Sequence, residues 1–233
     1  MKKKFAISLI MTCCAVLSLA AQDQMPRQRP MPVIKDTFSF VPGSWADYNL
    51  FDKKEKENIR MYIATLEKET VKGVPCSWLE IEVETKDTPV VVTKVLAEET
   101  KDGPGKIMKA IVHVAGYSPF TVPKKYLEGP DQQVGQFDTA QILKRLEQKT
   151  IVHKGRTISA MTVEAEDAKG VKTAATISLQ ILPIAIYQAE TDDIRMTLTD
   201  FGSGAKSKIT EAPISFTMWI FETVMKGLSE IKK

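Results

Sequence analysis

The sequence predicts an α+β chain that is mainly β: a strongly curved antiparallel sheet, an incomplete β-barrel, with helices covering its concave face. Three observations carry this prediction. Apolar and polar residues alternate over several stretches, as in Leu79-Glu80-Ile81-Glu82-Val83-Glu84, which gives each strand one inward face. Short turns bearing Gly and Asp separate those stretches, as antiparallel neighbours require. A final segment, residues 213–231, carries apolar residues at helical spacing. Helices within and after a run of antiparallel strands bury their apolar stripe against one sheet face. A closed barrel is the competing arrangement.

The chain has 233 residues, 43% apolar and 26% charged, which excludes a disordered tract, a collagen and a polytopic membrane protein. Its formal charge of +3 sits in Lys2, Lys3 and Lys4. These precede an uncharged run, Phe5 to Leu19, and the small residues Ser18, Ala20 and Ala21. That order is a secretory signal over residues 1–20, cut after Ala20 or Ala21. The run falls short of the roughly 20 residues of a spanning helix. An uncleaved anchor is one alternative. Lipidation at Cys13 or Cys14 is another, although Ile10-Met11-Thr12 lacks the small residue a lipoprotein signal sets before its cysteine. The expected address is the periplasm through the general export route, with a lipid-anchored or extracellular protein as the alternative.

Cleavage leaves 213 residues with 29 basic and 29 acidic side chains, so the mature chain is formally neutral. It keeps one cysteine, Cys76, and no intramolecular disulfide can form; the fold must rest on its core. A chain of this length buries roughly 70% of its unfolded surface in one domain.

Residues 21–36 carry three prolines and little periodicity, and read as an extended tether to a single β-rich domain over 37–233. Ile59, Met61 and Ile63 share one strand face, and Leu79, Ile81 and Val83 one face of the next. Val71-Lys72-Gly73-Val74-Pro75 supplies the turn between them. Pro89–Ala97 is a β-branched run, and Ile107–Val114 a further strand. Val122–Glu128 reads as a turn or short helix. Phe137–Gln148 reads as a helix, because Ala140, Leu143 and Leu146 recur at helical spacing. Lys149–His153, Arg156–Glu166 and Val171–Gln180 return to strand, with Asp167 and Gly170 placed as a type I turn favours. Pro183, which lacks the ladder donor, belongs at a bulge, an edge or a strand start. Ile184–Glu190 and Ile194–Asp200 complete about eight to ten strands. In the C-terminal helix, 213–231, Ile214, Met218, Phe221, Met225 and Leu228 form one stripe, widened by Trp219, Ile220 and Val224.

Few residues suggest chemistry. Asp200-Phe201-Gly202 matches a kinase metal-binding triplet, without the glycine-rich loop or the catalytic loop that would accompany it. Gly202–Ser207 approaches a phosphate loop, but Asp200 and Ala205 occupy its two glycine positions. His113 and His153 lie forty residues apart in strands, which is not the spacing of a zinc site. Cys76 begins a strand with nothing beside it in sequence to lower a thiol pKa. Glu80, Glu82 and Glu84 read as a solvated outer face, since three buried like charges would cost heavily. Asp52–Glu57 suits a hairpin tip. No basic stripe interleaved with aromatics is present, so nucleic acid is not an expected partner. No metal, no cofactor and no catalytic residue is assigned.

The chain resembles the LolA-type lipoprotein carriers of the bacterial envelope. The resemblance rests on Gly43-Ser44-Trp45-Ala46-Asp47-Tyr48, on Ile59–Glu69, on Cys76-Ser77-Trp78-Leu79-Glu80, on Ile181–Tyr187 and on Met196–Ser207. It implies an incomplete antiparallel β-barrel whose open hydrophobic cavity is covered by helices and shields lipid anchors or lipids in transit. The tryptophan-bearing C-terminal helix and the neutral mature charge depart from that pattern.

The expectation is therefore a periplasmic, non-catalytic carrier or binding protein for lipid or acyl-bearing envelope components, peripheral to the membrane. Methionine is flexible and polarizable, and suits a surface that accepts irregular apolar ligands. Met61, Ile63, Met196, Leu198, Met218 and Phe221 are the expected cavity-facing residues. The alternative is a structural or assembly subunit that docks an envelope protein partner through a sheet edge or the C-terminal helix. A hydrolase or isomerase in a β-rich cup is the third reading.

Overall fold

The computed structural model describes residues 31–128 and 137–230. The expected signal over 1–20, Cys13 and Cys14, and residues 21–30 of the expected tether lie outside the described residues. Thirteen strands form one sheet: β1 (Met31–Ile34), β2 (Trp45–Asp52), β3 (Glu57–Val71), β4 (Val74–Glu84), β5 (Val91–Thr100), β6 (Gly103–Val114), β7 (Phe120–Thr121), β8 (Phe137–His153), β9 (Arg156–Asp167), β10 (Lys172–Ile177), β11 (Ile186–Glu190), β12 (Ile194–Gly202) and β13 (Ile214–Ser215). A 3-10 turn at Lys124–Tyr126 and one helix, α1 (Phe216–Glu230), are the other regular elements among the described residues. Their order across the sheet is β1-β8-β9-β10-β11-β12-β2-β3-β4-β5-β6-β7-β13. The β1–β8 and β7–β13 pairs are parallel and the rest antiparallel.

The turns follow local chemistry. At the β9–β10 hairpin, Gly170 N–H donates to the Asp167 carbonyl, and Asp167 Oδ1 accepts from Lys169 and Val171 N–H. The Asp52–Glu57 hairpin tip is held by Asp52 Oδ1, which accepts from Lys54 and Glu55 N–H. Pro183 lies between β10 and β11, clear of either ladder.

The sheet is rolled. In a flat sheet β1 and β6, ten places apart in the strand order, would be separated by about 48 Å at ~4.8 Å per strand. Instead Lys35 Nζ, just past β1, lies 3.4 Å from Asp102 Oδ2 at the β5–β6 turn. A Cβ on Gly103 would come within 3.2 Å of Val33 Cγ1, and the φ of +122° there also favours glycine. At the other side, His153 at the end of β8 places Nε2 3.2 Å from the Thr199 carbonyl on β12. No ladder joins β1 to β13, so the sheet is not closed into a barrel.

Rolling buries a first cluster that draws on β1–β4 and β9–β12, including Tyr48, Met61, Ile63, Ile158, Met196 and Leu198. A second cluster on the same face joins β4–β7 to α1 through Leu79, Val95, Val112, Phe120 and Trp219. A third, on the opposite face of β3–β5, contains Ala64, Leu66, Cys76, Trp78 and Leu96.

Four expectations are corrected. Residues 31–36 are not tether: β1 pairs with β8, and Val33 and Ile34 are buried. Phe137–Gln148 is not a helix but most of β8, seventeen residues long. Among the described residues no helix covers the inner face over the first cluster. That space is filled by Phe38, which packs against both inner clusters, and by the buried Ile181–Ile186 segment, with Ser39 N–H donating to the Pro183 carbonyl at 2.8 Å. Finally, Glu80 is fully buried rather than solvated. The chain leaving β12 crosses its face: Ser207 Oγ donates to Glu80 Oε2 at 2.7 Å and Lys208 N–H to Oε1 at 2.9 Å. Those two bonds replace the water the carboxylate loses.

Candidate functional site

The C-terminal helix presents an apolar surface that no other described residue covers. Ser215 starts the helix, its Oγ accepting from Met218 N–H as an N-cap does. The inward face is Phe216, Trp219, Ile220 and Thr223, not the expected stripe. Trp219 packs against Phe120 at 4.5 Å between ring centroids, with Phe216 and Tyr117 flanking it. The expected stripe faces out: Met218, Phe221, Met225 and Leu228 are 57%, 60%, 51% and 53% exposed.

A groove of about 600 Å³ runs along this stripe, lined by Ser118, Ile214, Met218, Phe221, Glu222, Met225 and Lys226. Its polar rim is fixed. Glu222 accepts from Lys226 Nζ at 2.8 Å and from Ser118 N–H at 3.4 Å. Lys226 also donates to the Gly116 carbonyl and lies 4.6 Å over the Tyr117 ring. The bond from Lys226, followed by the contact with Ser118, holds the Glu222 carboxyl below its ordinary range despite some desolvation. The loop between β6 and β7 is thereby clamped to the helix, and the groove has a defined wall.

The six expected cavity residues therefore separate into two groups. Met61, Ile63, Met196 and Leu198 are buried in the first cluster, packed among other core side chains. Met218 and Phe221 lie on α1 and line the groove. Sequence reasoning missed Ile214, Met225 and Ser118 as lining residues. The spacing of Ile214, Met218, Phe221, Met225 and Leu228 did mark the groove's four apolar lining residues, Ile214, Met218, Phe221 and Met225, as one surface; only its direction was misread.

A second hollow, about 430 Å³, lies near the opposite face between Pro42, Gly43, Leu66, Glu67, Ala205, Lys206 and Ser207. Gly43 has φ +79° and its backbone runs beside Gly204, where a Cβ would sit 3.4 Å from the Gly204 nitrogen. Beside it, Lys208 Nζ pairs with Glu82 at 2.8 Å and stands 3.9 Å over the Tyr62 ring. Burial, reinforced by Glu80, Glu82 and Asp47, pushes the Tyr62 hydroxyl up to about 12. The folded value exceeds the unfolded one, so Tyr62 favours the fold below about pH 10 and withdraws that support as pH rises through 12. Tyrosinate absorbance in the native protein, compared with a Tyr62→Phe variant, should assign a midpoint near 12 to this residue. A midpoint near 10 would contradict the packing described.

The other polar candidates do not converge. His153 meets the Tyr187 ring edge-on at 5.7 Å, and His113 is half-buried in β6. Cys76 is buried with its Sγ 3.5 Å from the Val74 carbonyl, and burial pushes the thiol up. Among the described residues no three His, Cys, Asp or Glu side chains gather as a metal site. None of their helices is long and apolar enough to cross a membrane.

No protein-family model matches the chain, and no curated protein matches it. Among solved structures, the chain is similar to a "putative lipoprotein" from Parabacteroides distasonis ATCC 8503, at 11% identity and a TM-score of 0.36, over 72% of this chain and 99% of that one.

Proposed function

We propose that this is a non-catalytic binding protein of the bacterial envelope, peripheral to the membrane, that holds acyl chains of lipid or lipoprotein along its C-terminal helix. The observation that carries the proposal is the stripe Met218, Phe221, Met225 and Leu228, exposed among the described residues, beside the groove. Four half-exposed side chains present on the order of 400 Å² of apolar surface, within the range of the largest patch on ordinary monomers. A standard protein–protein interface takes about 800 Å² per partner, twice that area. A flexible chain lying in the groove needs less. Two methionines on the face suit a ligand without fixed shape. An open groove covers one side of such a chain, so each methylene contributes about 0.4 kcal/mol, half the ~0.8 of full burial.

The secretory signal and the resemblance to LolA-type carriers support the address and the ligand class. The site differs from the expectation in its place: an external groove on α1 instead of a cavity inside the sheet. The assembly-subunit reading keeps one specific observation in its favour, the 3-4-3 spacing of Met218, Phe221, Met225 and Leu228 along α1, which also suits a facing helix.

Phe221→Glu and Met225→Glu test the proposal, because both side chains are exposed and their replacement spares the core. The parent should bind an apolar fluorescent probe that lysophospholipid displaces. Each variant should lose on the order of tenfold in affinity, with its melting temperature unchanged. Organic extraction of protein purified from its native envelope should yield lipid by mass spectrometry. Absence of stoichiometric lipid, together with probe binding that the glutamates leave intact, would overturn it. A single envelope protein crosslinked at Phe221 in place of lipid would favour the assembly reading.

A further inference from the structure

Among the described residues, the far side of β8 is open beyond Ala140. On one side β8 pairs with β9 from Ala140 to His153. On the other, β1 covers only residues 137–140, and Lys35 N–H makes the last contact, to the Ala140 carbonyl at 2.8 Å. The chain then turns away at Thr37, whose Oγ1 donates to the Ile34 carbonyl. From Gln141 to Val152 no strand among the described residues takes the outward N–H and C=O groups.

Two features manage this edge. Leu143 and Leu146 are skipped in the register with β9, so each is the extra residue of a bulge. Both are exposed, at 60% and 47%. Glu147–His153, in contrast, keeps an unbroken register, and its first four residues are all exposed, so both faces of the strand stand clear of the body. That regular stretch is a template for an added strand.

The second feature is charge. Lys144, Arg145 and Lys149 outnumber Glu147, and none of the three cations has an ion-pair partner among the described residues. Lys144 is opposite Glu164 in the β9 register, and the two form no ion pair. A second copy pairing edge to edge would set these cations against one another, which like-charge cross-strand pairs penalise. The chain's own residues 22–30 carry Arg27 and Arg29 and the prolines Pro26 and Pro30, the wrong sign and the wrong backbone. An acidic extended segment satisfies both the open ladder and the unpaired cations.

We propose that the free edge of β8 over Glu147–Val152 takes an extended acidic segment of a partner protein as an added strand, with Lys144, Arg145 and Lys149 selecting its charge. Main-chain hydrogen bonds supply the affinity and the cations the specificity. β1 sets a precedent on the same edge, a segment remote in sequence that pairs with the first four residues of β8. This inference does not rest on the acyl-binding reading.

The test titrates the purified protein with two labelled peptides, one alternating Val and Glu, the other alternating Val and Lys. The Val–Glu peptide should bind on the order of tenfold more tightly than the Val–Lys peptide, and less tightly as salt is raised. Amide hydrogen exchange should slow across Glu147–Val152. The combined substitutions Lys144→Glu, Arg145→Glu and Lys149→Glu should reverse the preference while melting temperature and apolar-probe binding stay unchanged. Failure of the Val–Glu peptide to bind, binding without slowed exchange on this edge, or a preference the triple variant does not move would each overturn the proposal. Concentration-dependent self-association that protects the same amides would overturn it in favour of a second copy.

Discussion

Trp219→Ala is expected to cost about 3–5 kcal/mol and to loosen the C-terminal helix from the sheet, read as a lower urea midpoint by circular dichroism. Trp219 is the one fully inward aromatic of α1, and its ring sits among Phe120, Phe216 and Tyr117. Removing it leaves a cavity at the junction of helix and sheet, where β13 supplies only two strand residues to hold α1 in place. Trp219→Phe should behave differently. The buried indole Nε1–H finds no acceptor among the described residues, and such a group costs about 1–3 kcal/mol. Phenylalanine loses some ring contact but removes that cost, so its stability should lie within about 1 kcal/mol of the parent. If the phenylalanine variant were as unstable as the alanine one, the orphaned N–H would be wrong; a harmless alanine variant would remove Trp219 as the anchor. Because the groove shares this helix, Trp219→Ala should weaken apolar-probe binding as well, with none of its lining residues altered.

Tyr48→Ala should cost a similar 3–5 kcal/mol, for a different reason. Tyr48 is fully buried in β2, and its hydroxyl donates to the Ile186 carbonyl at 2.9 Å, tying β2 to β11 across the rolled interior. Burial pushes that hydroxyl's pKa well up, so it stays a neutral donor over the ordinary pH range. Tyr48→Phe keeps the ring and loses the bond, for about 1–2 kcal/mol. Urea unfolding of the two variants separates packing from hydrogen bonding. Equal losses would mean that the ring contributes nothing beyond its hydroxyl. Trp219 and Tyr48 belong to different buried clusters, so their alanine effects should add to within about 0.5 kcal/mol.

Much of the strand pattern was legible because alternation is a local property. β3, β4, β9 and β12 follow their apolar residues closely, and the Asp167–Gly170 turn uses the chemistry its residues announce. The helix expected at Phe137–Gln148 failed for an identifiable reason. Two bulges insert Leu143 and Leu146 into β8, and each insertion stretches a period of two into a step of three. The two inserted leucines fall three and six residues after Ala140 and so imitate a helical face without sharing one, since Ala140 is buried and both leucines are exposed. On α1 the difficulty was the opposite. Phe216, Met218, Trp219, Ile220, Phe221 and Val224 make the helix apolar nearly all round, so periodicity locates the helix without choosing the side that docks. The choice is made by Phe120 and Tyr126, which receive Phe216 and Trp219. Glu80 was unreadable because the segment that buries it arrives 127 positions later. The groove was half legible: its apolar stripe lies in one stretch of sequence, while Ser118 and the clamped β6–β7 loop join it only through folding.

The β2–β12 pairing has a consequence for the order in which the chain can assemble. These neighbours at the middle of the sheet bring Trp45 against the segment at Ser203, 158 positions away. Every strand from β3 to β7 can zip onto its predecessor as soon as it exists, and β9 to β12 can do the same starting from β8. The seam between the two meanders closes last, since its loop is the longest and must be joined before any contact there is gained. Until then β2 and β12 are bare edges on two half-sheets. The interval before that seam closes is when the chain is most open to mispairing.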